Sequence, residues 1–327
     1  MSSERAFVVS SEFDGHRLDR FLAHHMARLT RSRISRILRA NDGAVRLEPP
    51  RPVRPSTTLR LGDRVFLRRP DDSADDDPQA AVELRVLYRD AWCIVVDKPA
   101  GMLVQPAARV FAASLTHLLT RLAGPGEHLE PVHRLDRETS GALMASRVKE
   151  AVPTLRGLFA AHDALDKLYV ALVEDPEGRW PLGGSVSLTE SLGLDPDAGV
   201  RVRMGRGPLP ARTDVTVLER RGTHALLACR LFTGRQHQIR VHLALAGTPI
   251  VGDKLYQMGD AFFAAICDSP DDPALLALLP APRMALHAAA LAWTCPFSRA
   301  ARRVDVPLPD DFPFEGPRTP WLGIAAE

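Results

Sequence analysis

The chain has 327 residues, 45% of them hydrophobic and 25% charged, with a formal net charge of +2. This is the composition of a globular protein with room for one large domain and a small one. No run approaches the apolar length of a membrane span, and the start lacks a basic-then-apolar signal segment, so a cytoplasmic protein is expected.

The distribution of charge says more than the total. Residues 1–70 hold fifteen arginines and no lysine against seven acids. Phe7, Val8 and Val9 suit a short extended start. From Arg17 the apolar residues Leu18, Phe21 and Leu22 recur at helical steps. A second helix is expected over Ile34, Ile37 and Leu38, capped by Thr30 or Ser32 and ending near Asn41-Asp42-Gly43. Arg31, Arg33, Arg36 and Arg39 are spread around it and cannot all pack inward, so several must face solvent or a polyanion. Strands are expected at Ala44–Leu47, Thr58–Leu61 and Val65–Leu67. Residues 71–81 are rich in aspartate, contain nothing that fills a core, and read as an acidic flexible linker. The expected division is therefore a small domain over 1–70, the linker, and a large domain over 82–327.

In the large domain, Leu84–Tyr88 and Cys93–Val96 read as strands, followed by the turn Lys98-Pro99-Ala100-Gly101. A buried Lys98 would need an anionic partner. Ser114–Leu122 suits a helix. The stretch Pro131-Val-His-Arg-Leu-Asp-Arg-Glu-Thr-Ser-Gly141 then sets Asp136 between Arg134 and Arg137. An acid among cations stays ionised and can serve as nucleophile, base or electrostatic stabiliser. From the residues alone, a salt-bridged surface loop is the favoured reading. A strand at Ala142–Ser146 and a helix at Lys149–Ala160 follow, with Pro153 in an early turn.

Lys167–Val173 is rich in β-formers but alternates poorly. Trp180–Pro210 suits loops and short strands. Thr213–Leu218 and His224–Leu231 read as a strand pair, and Gln236–Leu245 as a helix with His237 and Arg240 on one face. His237 and His242 are five apart, with no cysteine or acid to complete a ligand set. The four cysteines, Cys93, Cys229, Cys267 and Cys295, lie far apart and read as reduced, mostly core residues. No metal site and no phosphate-cradling glycine loop is expected. Phe262–Leu279 reads as helix-like pieces, and the C-terminus as proline-rich loops.

Several of these stretches resemble one family. His133-Arg-Leu-Asp136 with Thr139-Ser-Gly141 is similar to the signature of the RluA-type pseudouridine synthases. So are Asp97-Lys-Pro-Ala-Gly101, the strand around Tyr169, Thr233-Gly-Arg235 with His237-Gln-Ile-Arg240 and Gly252-Asp253, and Arg283–Leu291. Residues 17–67 resemble the small RNA-binding domain shared by a ribosomal small-subunit protein and many RNA-modifying enzymes. One departure is Leu47-Glu-Pro-Pro50, where that domain has an Asn-Gly turn; a reshaped hairpin tip is expected.

The resemblance implies an α+β fold. A small α/β RNA-binding domain would precede a catalytic domain built on a mixed, mainly antiparallel sheet with flanking helices. It implies isomerisation of uridine to pseudouridine in structured RNA without a cofactor. Asp136 would be catalytic, with Arg240 as its partner and Tyr169 against the base. Leu286 and Val132 would wall the target ring, with Arg134, Lys98, Thr139 and His237 also meeting substrate. The target base would have to leave its stack. Two routes stay open: attack of Asp136 on ribose carbon 1′, or removal of a proton from carbon 2′. The substrate implied is large-subunit ribosomal RNA, as for the bacterial family members with two domains. Transfer RNA is the competitor, and an inactive RNA-binding or ribosome-assembly protein the alternative of another class. A monomer without DNA or membrane partners is expected.

Overall fold

The computed structural model describes residues 4–25, 34, 38, 45–68, 82–105, 114–161, 164–319 and 321. Two compact units emerge: residues 1–82 with 106–117, and residues 83–105 with 118–327. The linker read at 71–81 lies outside the described residues, as do Arg31, Arg33, Arg36 and Arg39.

In the first unit, β1 (Glu4–Val8), β2 (Val45–Glu48) and β3 (Arg64–Arg68) form an antiparallel sheet in the order β1-β3-β2. Helix α1 (Leu18–His25) supplies Leu18, Phe21 and Leu22 to a core that also holds Ile34, Leu38, Leu47 and Val65. The strand expected at Thr58–Leu61 does not form; only Thr58 bridges, to Arg17. Carboxylates take the backbone donors that a ladder would need. The Arg60 N–H donates to Asp63 (2.6 Å) and the Leu61 N–H to Asp14 (2.9 Å). Residues 49–63 thus make a long irregular connection in place of a tight hairpin tip.

The second unit is built on a ten-stranded sheet among the described residues. Its first strands are β4 (Arg85–Arg89), β5 (Cys93–Lys98), the short β6 (Glu130–Pro131) and β7 (Ser140–Ser146). Helix α2 (Leu115–Leu122) lies between β5 and β6 in sequence, and α3 (Val152–Ala160) after β7. Then come β8 (Leu165–Glu174), β9 (Ser185–Leu188), the β10 (Leu192–Leu194) and β11 (Met204–Arg206) hairpin, β12 (Thr213–Arg221) and β13 (His224–Leu231). Helices α4 (Gln238–Leu245), α5 (Asp260–Asp268) and α6 (Pro273–Leu276) lead to β14 (Leu286–Thr294) and β15 (Ala301–Asp305). The order is β4-β5-β7-β14-β8-β13-β12-β9, with β6 on β7 and β15 on β14. All pairs are antiparallel except β7 with β14.

The middle strands explain the poor alternation at 167–173. Every residue of β7 is buried, and so are most of β8. A strand covered on both faces reads as a continuous apolar run. Residues 306–319 form the proline-rich loops expected at the C-terminus, and strand β15, for which the sequence reading named no element, precedes them. It is charged and, among the described residues, pairs with β14 alone, an edge arrangement that leaves little apolar signal.

Candidate active site

Four chain segments converge on one cleft of about 300 Å³: the β6–β7 loop, the start of α4 with the turn before it, the middle of β8, and the start of β14. Two glycines from the sequence motifs permit the approach. Gly141 has φ +107°, and a Cβ there would overlap the Ala288 carbonyl, where β7 and β14 pair. Gly252 has φ +78°, and a Cβ would overlap the Arg283 carbonyl. Any larger residue would push these segments apart.

Asp136 sits in the β6–β7 loop, closed by the Thr139 N–H donating to the Asp136 carbonyl (3.2 Å). Its carboxylate receives the Arg240 Nη1–H at 2.8 Å. Arg240 is buried and gives two further bonds to Asp253, Nε–H at 2.7 Å and Nη2–H at 3.0 Å. Asp253 is fully buried and also receives the backbone N–H groups of Leu255 (2.9 Å) and Tyr256 (3.0 Å). Burial works against the Arg240 charge, but Asp253 and Asp136 outweigh it and hold the guanidinium above its ordinary range. Burial would likewise raise the Asp253 carboxyl, yet Arg240 and the two amides hold it low. The result is a locked carboxylate–guanidinium–carboxylate row whose outer end opens on the cleft.

Tyr169 and Leu286 line the same cleft from β8 and β14. Burial and the nearby Asp136 push the Tyr169 phenol well up, so at neutral pH it is a ring and a neutral hydroxyl. Arg134, exposed, Thr139, buried, and His237 complete the cleft-lining residues named from sequence. His237 takes a left-handed backbone conformation (φ 54°), so α4 begins at Gln238, two residues later than its periodicity predicts.

Three expectations land elsewhere. Val132 packs into the core with Cys93, Val95 and Met144, away from the cleft, because its side chain faces the sheet interior. Lys98 is fully buried, but among the described residues no anion pairs with it. It donates to the carbonyls of Pro99 (2.9 Å), Met102 (2.8 Å) and Arg137 (3.1 Å). Three carbonyl dipoles meet all three of its donors, while burial and then the Arg283 charge push it down to about 7. Arg137 turns from Asp136 and gives its Nε–H to the Gly101 carbonyl at 2.9 Å. Of the two arginines flanking Asp136, only Arg134 lines the cleft.

Sequence reasoning passed over Asp253 and Tyr256. Asp253 was visible in the Gly-Asp match but had no role, because a partner thirteen residues from Arg240 has no helical spacing. Tyr256 gave no signal beyond its closeness to Asp253.

A cleft that sets Tyr169 and Leu286 beside one arginine-locked carboxylate, on a mixed sheet, fits an enzyme of the pseudouridine synthase type. A family model for RNA pseudouridylate synthase matches residues 93–245. The ribosomal large subunit pseudouridine synthase D of Xanthomonas campestris pv. campestris is 33% identical over 95% of this chain and 91% of its own. The ribosomal large subunit pseudouridine synthase C of Salmonella typhimurium is 31% identical over 94% of this chain and 93% of its own. Among solved structures, human RNA pseudouridylate synthase domain containing 1 superposes with a TM-score of 0.52 at 26% identity, covering 69% of this chain and 83% of that one. The chain belongs to the RluA-type family of RNA pseudouridine synthases. Among the described residues no helix is long and apolar enough to cross a membrane.

Proposed function

We propose that this synthase converts uridine to pseudouridine in large-subunit ribosomal RNA, with Asp136 as the catalytic carboxylate. The observation that carries the chemistry is the locked row Asp136–Arg240–Asp253 at the floor of the cleft. The reaction breaks the bond between ribose carbon 1′ and uracil nitrogen 1 and rejoins the base through carbon 5. One fixed carboxylate suits either open route. Arg240 holds it ionised and aligned. Tyr169 offers a ring face and a hydroxyl to the turned-out base, and Leu286 an apolar contact. Arg134, at the rim, suits a phosphate of the target strand, and Thr139 and His237 suit polar atoms of the nucleotide. Lys98 acts through the loop whose Arg137 carbonyl it binds. Arg31, Arg33, Arg36 and Arg39 add phosphate contacts from the small domain. No cofactor, DNA or membrane takes part, and the enzyme works as a monomer in the cytoplasm.

The ribosomal substrate is supported by the names of relatives that span nearly the whole chain. Mapping pseudouridines by carbodiimide reactivity in a strain lacking the gene tests it. A site missing from large-subunit RNA, restored by the wild-type gene and not by Asp136→Asn, is the expected result. A site missing only from transfer RNA would overturn the substrate class.

A further inference from the structure

The helix start at His237 is built in a costly way. A histidine with φ 54° pays for a backbone that glycine or asparagine adopts more readily. Its ring is fixed from behind. The Tyr256 hydroxyl accepts the Met204 N–H at 3.0 Å and lies 2.9 Å from His237 Nδ1. Among the described residues Nδ1 is the one acceptor bonded to this hydroxyl, so the hydroxyl proton goes to Nδ1. The remaining ring proton is then on Nε2, the nitrogen that faces the cleft. Burial and the neighbouring Arg240 push the imidazole down to about 4, so it stays neutral at physiological pH.

His237 Nε2 stands 4.0 Å from Asp136 Oδ2. That is too far for a direct hydrogen bond. It suits one oxygen seated between them, about 2.8–3.0 Å from each. The two walls differ: Nε2–H donates and the carboxylate accepts. The atom that satisfies both is a hydroxyl oxygen, which accepts one proton and donates another. A phosphate oxygen or a uracil carbonyl would face Asp136 with nothing to donate. In an RNA strand the 3′ and 5′ oxygens are esterified, and the 2′-hydroxyl is the free one. It is also attached next to carbon 1′, where the reacting bond is.

We propose that His237 and Asp136 together seat the 2′-hydroxyl of the target ribose, with Tyr256 as the positioning residue that sets the histidine tautomer. The seat makes the cleft select a ribonucleotide at the reacting position. It deepens the reading of Asp136 as the catalytic carboxylate and rests on it.

The test uses a synthetic stem–loop around whichever uridine the mapping identifies, made with uridine or 2′-deoxyuridine at that position. A transfer-RNA result in the mapping would count against the ribosomal substrate and leave this test in place. Single-turnover rate over dissociation constant is measured for both RNAs. Wild-type enzyme is expected to lose about tenfold or more on the deoxy substrate, the scale of one aligned hydrogen bond. In His237→Leu the deoxy penalty should shrink to about threefold, because Asp136 alone still accepts from the hydroxyl. Tyr256→Phe, which leaves the strained backbone untouched, should give an intermediate ratio. His237→Gln, which keeps a donor near Nε2, should recover part of it. Equal deoxy penalties in wild type, His237→Leu and Tyr256→Phe would overturn the seat, and so would a wild-type enzyme indifferent to the hydroxyl. If His237→Leu fails to fold by melting temperature, the Tyr256→Phe ratio decides alone.

Discussion

Two arginine–carboxylate clusters in this molecule share their chemistry and differ in everything else. On the small sheet, Glu48 lies between Arg46 and Arg64, and the side chains are 40%, 48% and 54% exposed. Both guanidiniums also lie over the Phe66 ring, at 3.8 and 5.0 Å. In the large unit, Arg240 lies between Asp136 and Asp253, and the Arg240 and Asp253 side chains are 10% and 0% exposed. An exposed pair is worth about 0–1 kcal/mol and rearranges cheaply. Breaking a buried pair leaves an uncompensated charge and costs about 3–5 kcal/mol. Exposed arginines can therefore leave their carboxylates for phosphates. The buried one cannot leave, and that rigidity is what a catalytic carboxylate requires.

The strongest challenge to this contrast is Asp136→Asn. The amide keeps the size and removes the charge, so turnover should fall by at least about a thousandfold. RNA affinity should change little or rise, since one negative charge near phosphates is lost. Tritium release from uridine labelled at carbon 5 measures it, with melting temperature as the fold check. A folded variant working at a tenth of the normal rate would remove Asp136 from the chemistry.

Asp253→Asn beside Glu48→Gln compares the clusters directly. The first should destabilise by about 3 kcal/mol and slow turnover by about a hundredfold, because Arg240 loses its anchor. The second should stay within about 1 kcal/mol. Urea unfolding at neutral pH reads both. The folded Asp253 carboxyl is held low, so its stabilisation is complete above the unfolded carboxyl value, about 3.9, and is lost as pH falls through the folded one. The gap between wild type and Asp253→Asn should therefore narrow below about pH 4. A constant gap, or equal losses from the two variants, would erase the distinction.

Tyr169→Phe keeps the ring against the cleft and removes the hydroxyl. About a tenfold loss in the single-turnover step is expected, with binding moved far less. Unchanged chemistry with much weaker binding would reassign Tyr169 to docking. The smallest effect belongs to Arg46→Gln with Arg64→Gln. Binding should weaken a few fold, and the slope of log affinity against log salt should drop by about one per lost phosphate contact. Chemistry at saturating RNA should not change. A loss of rate at saturation would show that the small unit does more than hold RNA.

Much of this protein was legible in its sequence, for a physical reason that differs by feature. Helices with one apolar face, such as Leu18–His25, follow from 3.6-residue periodicity, a local property. The motif glycines, Gly141 and Gly252, mark close backbone approaches that no other residue allows. Asp136, Arg240, Tyr169 and Leu286 were found by the company they keep in the motifs, and the fold brings all four to one cleft. What the sequence could not decide was which way charged side chains turn. Arg134 and Arg137 stand on either side of Asp136, yet one lines the cleft and the other binds the Gly101 carbonyl. Lys98 satisfied itself with three carbonyls where an anion was expected. The partners Arg240–Asp136 and Tyr256–His237 are separated by 104 and 19 residues, and no local periodicity links them. Periodicity reports burial, which each residue carries with it. The pairing of buried polar groups depends on which donors and acceptors the packed sheet brings within about 3 Å, and only the tertiary structure decides that.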